Sequence, residues 1–271
     1  MKSSYNYTNK TVIGMCHLLP LPGDVNFNHK DGIRKIIEVA KRDIEILQNN
    51  GLSGILFSNE FSYPYSQKID QVTVATMSRI IGELKKEISI PFGVDCMYDS
   101  KSTIDLACAT DADFFRITMP IATITEYEFG FTMLYEIIKH RKNVFSGNNP
   151  HMFINITPTI NNLSTNKIEE LISFIIAQVS PYALCIAANK IENLIKSNSL
   201  NKINNLCTGT YIYCDGGCNI SNIESILNYT SGIIVGTAFK NDYVIYNSIS
   251  QKNTNEFMIK VKSVKNNSKS N

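Results

Sequence analysis

Two glycine turns near the C-terminus carry the clearest chemical signal. The first lies in Tyr211-Ile-Tyr-Cys-Asp-Gly-Gly-Cys-Asn-Ile-Ser-Asn222 and the second in Gly232-Ile-Ile-Val-Gly-Thr237. Each follows a short β-branched or aromatic run, and nineteen positions separate Gly217 from Gly236, room for one helix between two strands. Glycine lets the backbone approach a ligand closely, and a helix start offers free N–H groups to an anion. Gly216, Gly217, Gly236 and Thr237 are therefore the expected phosphate ligands. Acid–base chemistry beside them would fall to Asp95, Asp215 and His17, each at the end of a strand-like run. A carboxylate in a partly dry cleft can have its pKa raised toward working pH.

Each assignment has a structural alternative. Asp95 and Asp215 could cap a following turn through backbone N–H groups. His17 could move protons or hydrogen-bond a substrate oxygen, or it could anchor the stiff segment Leu18-Leu-Pro-Leu-Pro-Gly23 that follows it. That apolar segment reads as a surface loop, a lid or part of a subunit contact, which leaves a homo-oligomer open. Arg116 could clamp a phosphate or carboxylate, or pair inside the protein with Asp95; the internal pair is favoured, because a buried arginine must satisfy its charge. Asn59 and Asn155 are placed to touch substrate, and Glu60 stands beside Asn59. His140, next to Arg141 and Lys142 at a helix end, reads as structural. No lysine ends a strand; Lys190 is the nearest candidate for a Schiff base.

Cofactor signals are absent from the spacing. Cys214 and Cys218 flank the glycine pair, but two further zinc ligands at comparable spacing are missing. Ligands from separate strands could still converge on Mg2+. The chain has seven cysteines without regular spacing, which suits reduced thiols and a cytoplasmic protein. The first ten residues lack an apolar signal-peptide core, and no apolar run approaches the ~20 residues of a membrane span. A net charge of +2 gives no reason to expect nucleic acid or an acidic membrane as partner.

Alternating patterns must position these groups. Strand-like runs begin at Thr11, Gly54, Pro91, Asp113, His151, Tyr182, Thr210 and Gly232. Between them lie helical faces such as Ile33, Ile36, Ile37, Ala40, Ile44 and Leu47, and a single polar helix is expected over Ile191 to Leu206. Eight strand–helix units in 271 residues, with no linker, predict an α/β fold: a single (β/α)8 TIM barrel over residues 11–264. Residues 1–10 and the polar tail 265–271 are expected to fray. Active sites of such barrels lie at the C-terminal strand ends, where the candidates above fall.

The segment Ile13-Gly-Met-Cys-His-Leu-Leu-Pro-Leu-Pro-Gly23 resembles the opening motif of the BtpA/SgcQ family. Ser58-Asn-Glu-Phe-Ser-Tyr-Pro-Tyr65, Pro91-Phe-Gly-Val-Asp95, Ala112-Asp-Phe-Phe-Arg116 and Val235-Gly-Thr-Ala-Phe-Lys240 resemble its later motifs, in order. The resemblance spans Val12 to Lys240 and implies a ribulose-phosphate-binding type of barrel. The family takes its name from a factor needed for photosystem I accumulation. This chain departs from the family's motifs at Ser58, Ser62, Tyr98-Asp-Ser100, Thr157-Pro-Thr159 and Asp215. The expected ligand is a small phosphorylated molecule, and the expected chemistry is that of an isomerase or lyase. The alternative is a non-catalytic assembly or metabolite-binding factor that keeps the barrel. A carboxylate at position 215 would repel a bound phosphate unless it points away or is protonated.

Overall fold

The computed structural model describes residues 10–119, 127–147, 149–161 and 163–267. Eight parallel strands close into one barrel in chain order: β1 (Thr11–His17), β2 (Gly54–Ser58), β3 (Phe92–Asp95), β4 (Phe114–Thr118), β5 (His151–Asn155), β6 (Ala183–Ile186), β7 (Tyr211–Asp215) and β8 (Gly232–Val235). β1 pairs with β8 over Thr11↔Gly232 to Gly14↔Val235, which shuts the cylinder. The outer layer contains α1 (Gly32–Asn49), α2 (Gln71–Leu84), α3 (Ser100–Thr110), α4 (Tyr127–Val144), α5 (Thr157–Ile160), α6 (Thr165–Val179), α7 (Ala188–Lys196), α8 (Ser199–Leu206), α9 (Ile223–Tyr229) and α10 (Gln251–Asn267). The apolar stripe of α1 buries Ile36, Ala40, Ile44 and Leu47 against the strands, as a 3.6-residue period requires.

Side chains on a strand alternate between two faces. One face packs under the helices. The other fills the barrel with Ile13, Met15, Leu56, Phe114, Phe153, Cys185, Tyr213 and Ile234. Phe114 and Tyr213 lie 5.2 and 5.1 Å from Phe153, ring centre to ring centre, so aromatic rings occupy the middle of the barrel. Gly93 and Gly232 leave room for them. A Cβ at 93 would stand 2.3 Å from the Phe114 ring, and one at 232 would stand 2.4 Å from Tyr213. The next inward positions along the strands then fall at the mouth: His17, Ser58, Asp95, Arg116, Asn155, Asp215 and Gly236.

Several expectations need correction. The helix expected over Ile191 to Leu206 is two helices, α7 and α8, broken where Asn198 takes a left-handed φ of 55°. The segment Leu18–Gly23 is not a free surface lid. Leu18 and Leu21 are buried in the core, the Leu18 N–H donates to Ser58 O, and Asp24 accepts from both the Leu21 N–H and the Ser62 hydroxyl. At the C-terminal end, α10 continues through Asn267, into the stretch expected to fray. The N-terminal stretch expected to fray lies outside the described residues up to position 9, and Lys10 donates to Leu227 O and Thr230 O. Residues 120–126, between β4 and α4, also lie outside them. Among the described residues no helix is long and apolar enough to cross a membrane.

Candidate functional site

A cavity of about 700 Å³ opens at the C-terminal ends of the strands. His17, Arg116, Asn155, Asp215, Gly216, Gly217, Gly236 and Thr237 all line it, as do Glu60 and Met97. The strand period explains the meeting: β1, β4, β5, β7 and β8 contribute His17, Arg116, Asn155, Asp215 and Gly236, each the inward residue that follows the last lumen residue of its strand.

An ion triad lies at the floor: Arg116 and Asp215 line the cavity, and Asp95, fully enclosed, does not. Arg116 Nε donates to Asp95 Oδ2 at 2.8 Å, and its Nη2 lies 2.6 Å from the same oxygen. Arg116 Nη1 donates to both Asp215 oxygens, at 2.8 and 2.7 Å. The guanidinium therefore bridges β3 and β7 from β4. Its side chain is 6% exposed, Asp95 is fully enclosed and Asp215 is 8% exposed. One cation shared by two carboxylates leaves the group one negative charge in excess when both are ionised. Burial pushes the Asp95 carboxyl up to about 6, against the opposing pull of Arg116, and Asp215 and Glu60 add to the rise. The two carboxylates hold Arg116 well above its ordinary range despite its burial. Asp95 Oδ1 has no hydrogen-bond partner among the described residues.

His17 stands beside the triad, 6% exposed. Burial, then Lys240 and Arg116, lower its pKa to about 3, so the ring is neutral at ordinary pH. Its Nδ1 lacks a partner among the described residues, as do the buried hydroxyls of Ser58 and Thr118. Ser58 pairs in register with His17 on one side and Asp95 on the other. His17 Nδ1, the Ser58 hydroxyl and Asp95 Oδ1, on three adjacent strands, keep spare hydrogen-bonding capacity, which buried polar groups rarely retain.

The glycines divide into two kinds. Gly216 and Gly217 have φ of 88° and 76°, a left-handed turn that L side chains avoid. Gly216 O accepts from the Ala188 N–H at 3.0 Å, and a Cβ at 217 would meet Ala188 Cβ at 3.3 Å. Gly236 has an ordinary φ of −115°, and its bareness serves His17: a Cβ there would lie 2.8 Å from the imidazole Cε1. Neither turn leads directly into an α-helix. α9 begins only at Ile223, and Thr237–Phe239 is a single 3-10 turn.

The remaining sequence candidates sort cleanly. Asn155 lines the cavity, its Oδ1 accepting from the Thr157 N–H at 3.0 Å. Asn59 does not; its buried Oδ1 accepts from the Met97 N–H at 2.8 Å and clamps the end of β2 to the end of β3. Lys190 donates to Asn161 O at 2.6 Å and is not among the residues lining the cavity. His140 meets Asp105 at 2.6 Å between α3 and α4. Asp99 supplies the cap: its Oδ1 accepts from the Ser102 N–H at the start of α3. Among the described residues no group of three or more His, Cys, Asp or Glu is placed to hold a metal ion.

Glu60 gains weight from the structure. It lines the cavity, and burial raises its pKa. The Tyr65 hydroxyl donates to Glu60 O at 2.8 Å and reaches its Oε1 at 3.3 Å. The sequence signal was its position beside Asn59, between Ser58 and Ser62, where the family motif that this segment resembles has its acidic residues.

The fold resembles that of 7,8-dihydropteroate synthase from Vibrio fischeri, with a TM-score of 0.61 at 11% identity over 98% of this chain and 95% of that one. Phosphoribosyl anthranilate isomerase from Thermococcus kodakaraensis also superposes, with a TM-score of 0.56 at 8% identity over 94% and 98% of the two chains. At such identities the likeness establishes the barrel alone. Sequence relatives say more. The putative sgc region protein SgcQ of Escherichia coli K12 is 34% identical over 254 residues, 94% of this chain and 95% of its own. The profile of the BtpA family matches residues 8–263, and the chain belongs to that family.

Proposed function

We propose that this protein is an enzyme acting on a small phosphorylated metabolite, of isomerase or lyase type. The observation that carries the reading is the Asp95–Arg116–Asp215 triad, of which Arg116 and Asp215 line a mouth cavity that also contains the left-handed Gly216–Gly217 turn. Asp95 has an unpartnered Oδ1 and a pKa near 6, which suit it to take a proton from a carbon next to a carbonyl, although it is fully enclosed and lies outside the cavity lining, behind Arg116. Arg116 fixes its orientation. Neutral His17 is suited to donate a hydrogen bond to the carbonyl oxygen as charge develops there. Gly217 and Thr237 would hold the phosphate through backbone N–H groups and a hydroxyl, while Gly216, whose N–H donates to Ile234 O at 3.5 Å, shapes the turn. The solved barrel named as an isomerase of a phosphoribosyl compound supports the substrate class by analogy of fold only.

A second reading has its own observation. Every nitrogen of the Arg116 guanidinium already has a partner in Asp95, Asp215 or Met97, as an internal ion cluster requires. The protein would then bind a metabolite without transforming it.

A thermal-shift screen with inorganic phosphate and phosphorylated sugars tests the shared premise, because a ligand of the native state raises the midpoint by mass action. A midpoint unmoved by all of them sinks the phosphate site. Asp95→Asn then separates the readings. Turnover of a hit should fall by at least ~100-fold if Asp95 is the base, while binding persists. Turnover that survives the change removes Asp95 from the chemistry.

A further inference from the structure

A second cavity, of about 390 Å³, adjoins the first and shares Glu60 and Ile245 with it. Its walls are aromatic. Phe61 and Tyr246 stack at 5.2 Å between ring centres, 25° from parallel. Tyr63 and Tyr65 meet edge to face at 5.7 Å. Glu60 is the one charged side chain among the described residues lining this cavity. The Tyr65 hydroxyl fixes it, through bonds to its backbone oxygen and its carboxylate. Phe61 also sets its ring edge to face against His17 at 6.0 Å, which joins the two cavities physically.

This combination selects a ligand class. Aromatic faces carry negative charge density and attract cations. A carboxylate among them repels anions and is costly to bury beside a neutral apolar group. Aromatic rings do not ligate hard metal ions, which take oxygen donors. An alkylammonium satisfies both the rings and the carboxylate. We propose that the Phe61–Tyr65–Tyr246 cavity binds an alkylammonium group, with Glu60 as its counter-charge. Resting on the phosphate reading above, a ligand carrying both groups would set its phosphate in the main cavity and its ammonium in this annex.

Choline and its neutral carbon analogue 3,3-dimethylbutan-1-ol provide the test, titrated into the full chain by calorimetry or ligand-observed NMR. Choline should bind at least tenfold tighter than the analogue. Glu60→Gln should weaken choline by about tenfold and leave the analogue unchanged. Tyr246→Ala, at a ring 78% exposed and so of little consequence for folding, should weaken choline several-fold with an unaltered melting temperature. Equal binding of the two probes overturns the proposal, and so does indifference of choline to both variants. If wild-type protein is a dimer that Tyr246→Ala dissociates while choline has no effect, the cavity is a subunit contact and the proposal fails. Inorganic phosphate and phosphocholine complete the set. Phosphate binding with choline silent overturns the annex alone. Choline binding with phosphate silent supports the annex and overturns the phosphate reading. Phosphocholine binding at least tenfold tighter than either fragment supports both.

Discussion

Replacing Arg116 with methionine removes the only cation of the floor triad and keeps most of its length. Asp95, fully enclosed, and Asp215, 8% exposed, then face each other without a counter-charge. Breaking a buried ion pair by removing one partner costs about 3–5 kcal/mol, because the charge left behind cannot be rehydrated. A loss of that size is a large fraction of the ~5–15 kcal/mol by which a domain is stable. At roughly 2 °C per kcal/mol for a chain of this size, the midpoint should fall by about 6–10 °C at pH 7.5.

The sign of the pH dependence follows from Asp95. Its folded pKa, about 6, already exceeds the unfolded value of 3.8. A carboxyl with a raised folded pKa binds more protons folded than unfolded, so its contribution to stability falls as pH rises through that window. Without Arg116 the folded pKa climbs further and the window widens. The deficit of Arg116→Met relative to wild type should therefore shrink by ~1 kcal/mol or more when urea melts at pH 7.5 are repeated at pH 5.5. The triple variant Asp95→Asn, Arg116→Met, Asp215→Asn removes all three charges and should recover most of the loss, since a buried triad is often replaceable by neutral groups. A deficit under ~1 kcal/mol at pH 7.5, or one that does not change with pH, would falsify the view that Arg116 neutralises two buried carboxylates.

Three further substitutions probe the mouth and the lumen. His17 has a folded pKa near 3 against 6.5 unfolded, so its contribution to stability is complete above pH 6.5 and is lost as pH falls; wild type minus His17→Gln should drop by about 2 kcal/mol between pH 7 and pH 5 in chemical melts, and a flat difference would mean that the ring is not held neutral. Gly93→Ala places a methyl 2.3 Å from the Phe114 ring, which Phe153 backs, and should cost about 1–3 kcal/mol, partly recovered by adding Phe114→Leu; an unchanged midpoint would show that the lumen can repack freely. Gly236→Ala brings a methyl 2.8 Å from the His17 ring and should shift the His17 imidazole signals in NMR with no phosphate present; unmoved signals would return Gly236 to the role of a pure anion-loop residue.

The period-two pattern made the mouth largely readable. Once Pro91-Phe-Gly-Val-Asp95 and Ala112-Asp-Phe-Phe-Arg116 are strands, Asp95 and Arg116 must point inward two residues beyond Gly93 and Phe114, and their pairing follows. That Asp215 would share the same guanidinium did not follow, because it depends on how far an arginine reaches across a closed barrel. The role of Gly236 was hidden for a similar reason: the atom that needs the space belongs to His17, more than two hundred positions away in the chain. Hydrophobicity misled at Leu18 and Leu21. An apolar loop reads as exposed when nothing in the sequence shows that both leucines turn into the core. The break at Asn198 lies between two segments of matching periodicity, so periodicity alone merges α7 and α8.

The triad also weakens the repulsion that Asp215 would exert on an anion. Its carboxylate is turned into the barrel and held by Arg116, so a phosphate at Gly216 and Gly217 meets only the one excess negative charge that the triad shares. The same bond removes Arg116 from the list of phosphate ligands, because Nη1, Nη2 and Nε are already committed. An anion in this cavity would rest on backbone N–H groups and on neutral side chains such as Thr237, Ser221 and Asn219. Asp215→Asn removes one negative charge from the cavity wall and loosens Nη1. If phosphate binds here, that variant should bind inorganic phosphate about three- to tenfold more tightly, roughly 0.7–1.4 kcal/mol, with a midpoint no higher than wild type in the absence of ligand. A residue that contacted the phosphate productively would show the opposite sign. Weaker phosphate binding in Asp215→Asn would therefore mean that Asp215 orders the glycine turn rather than opposing its ligand.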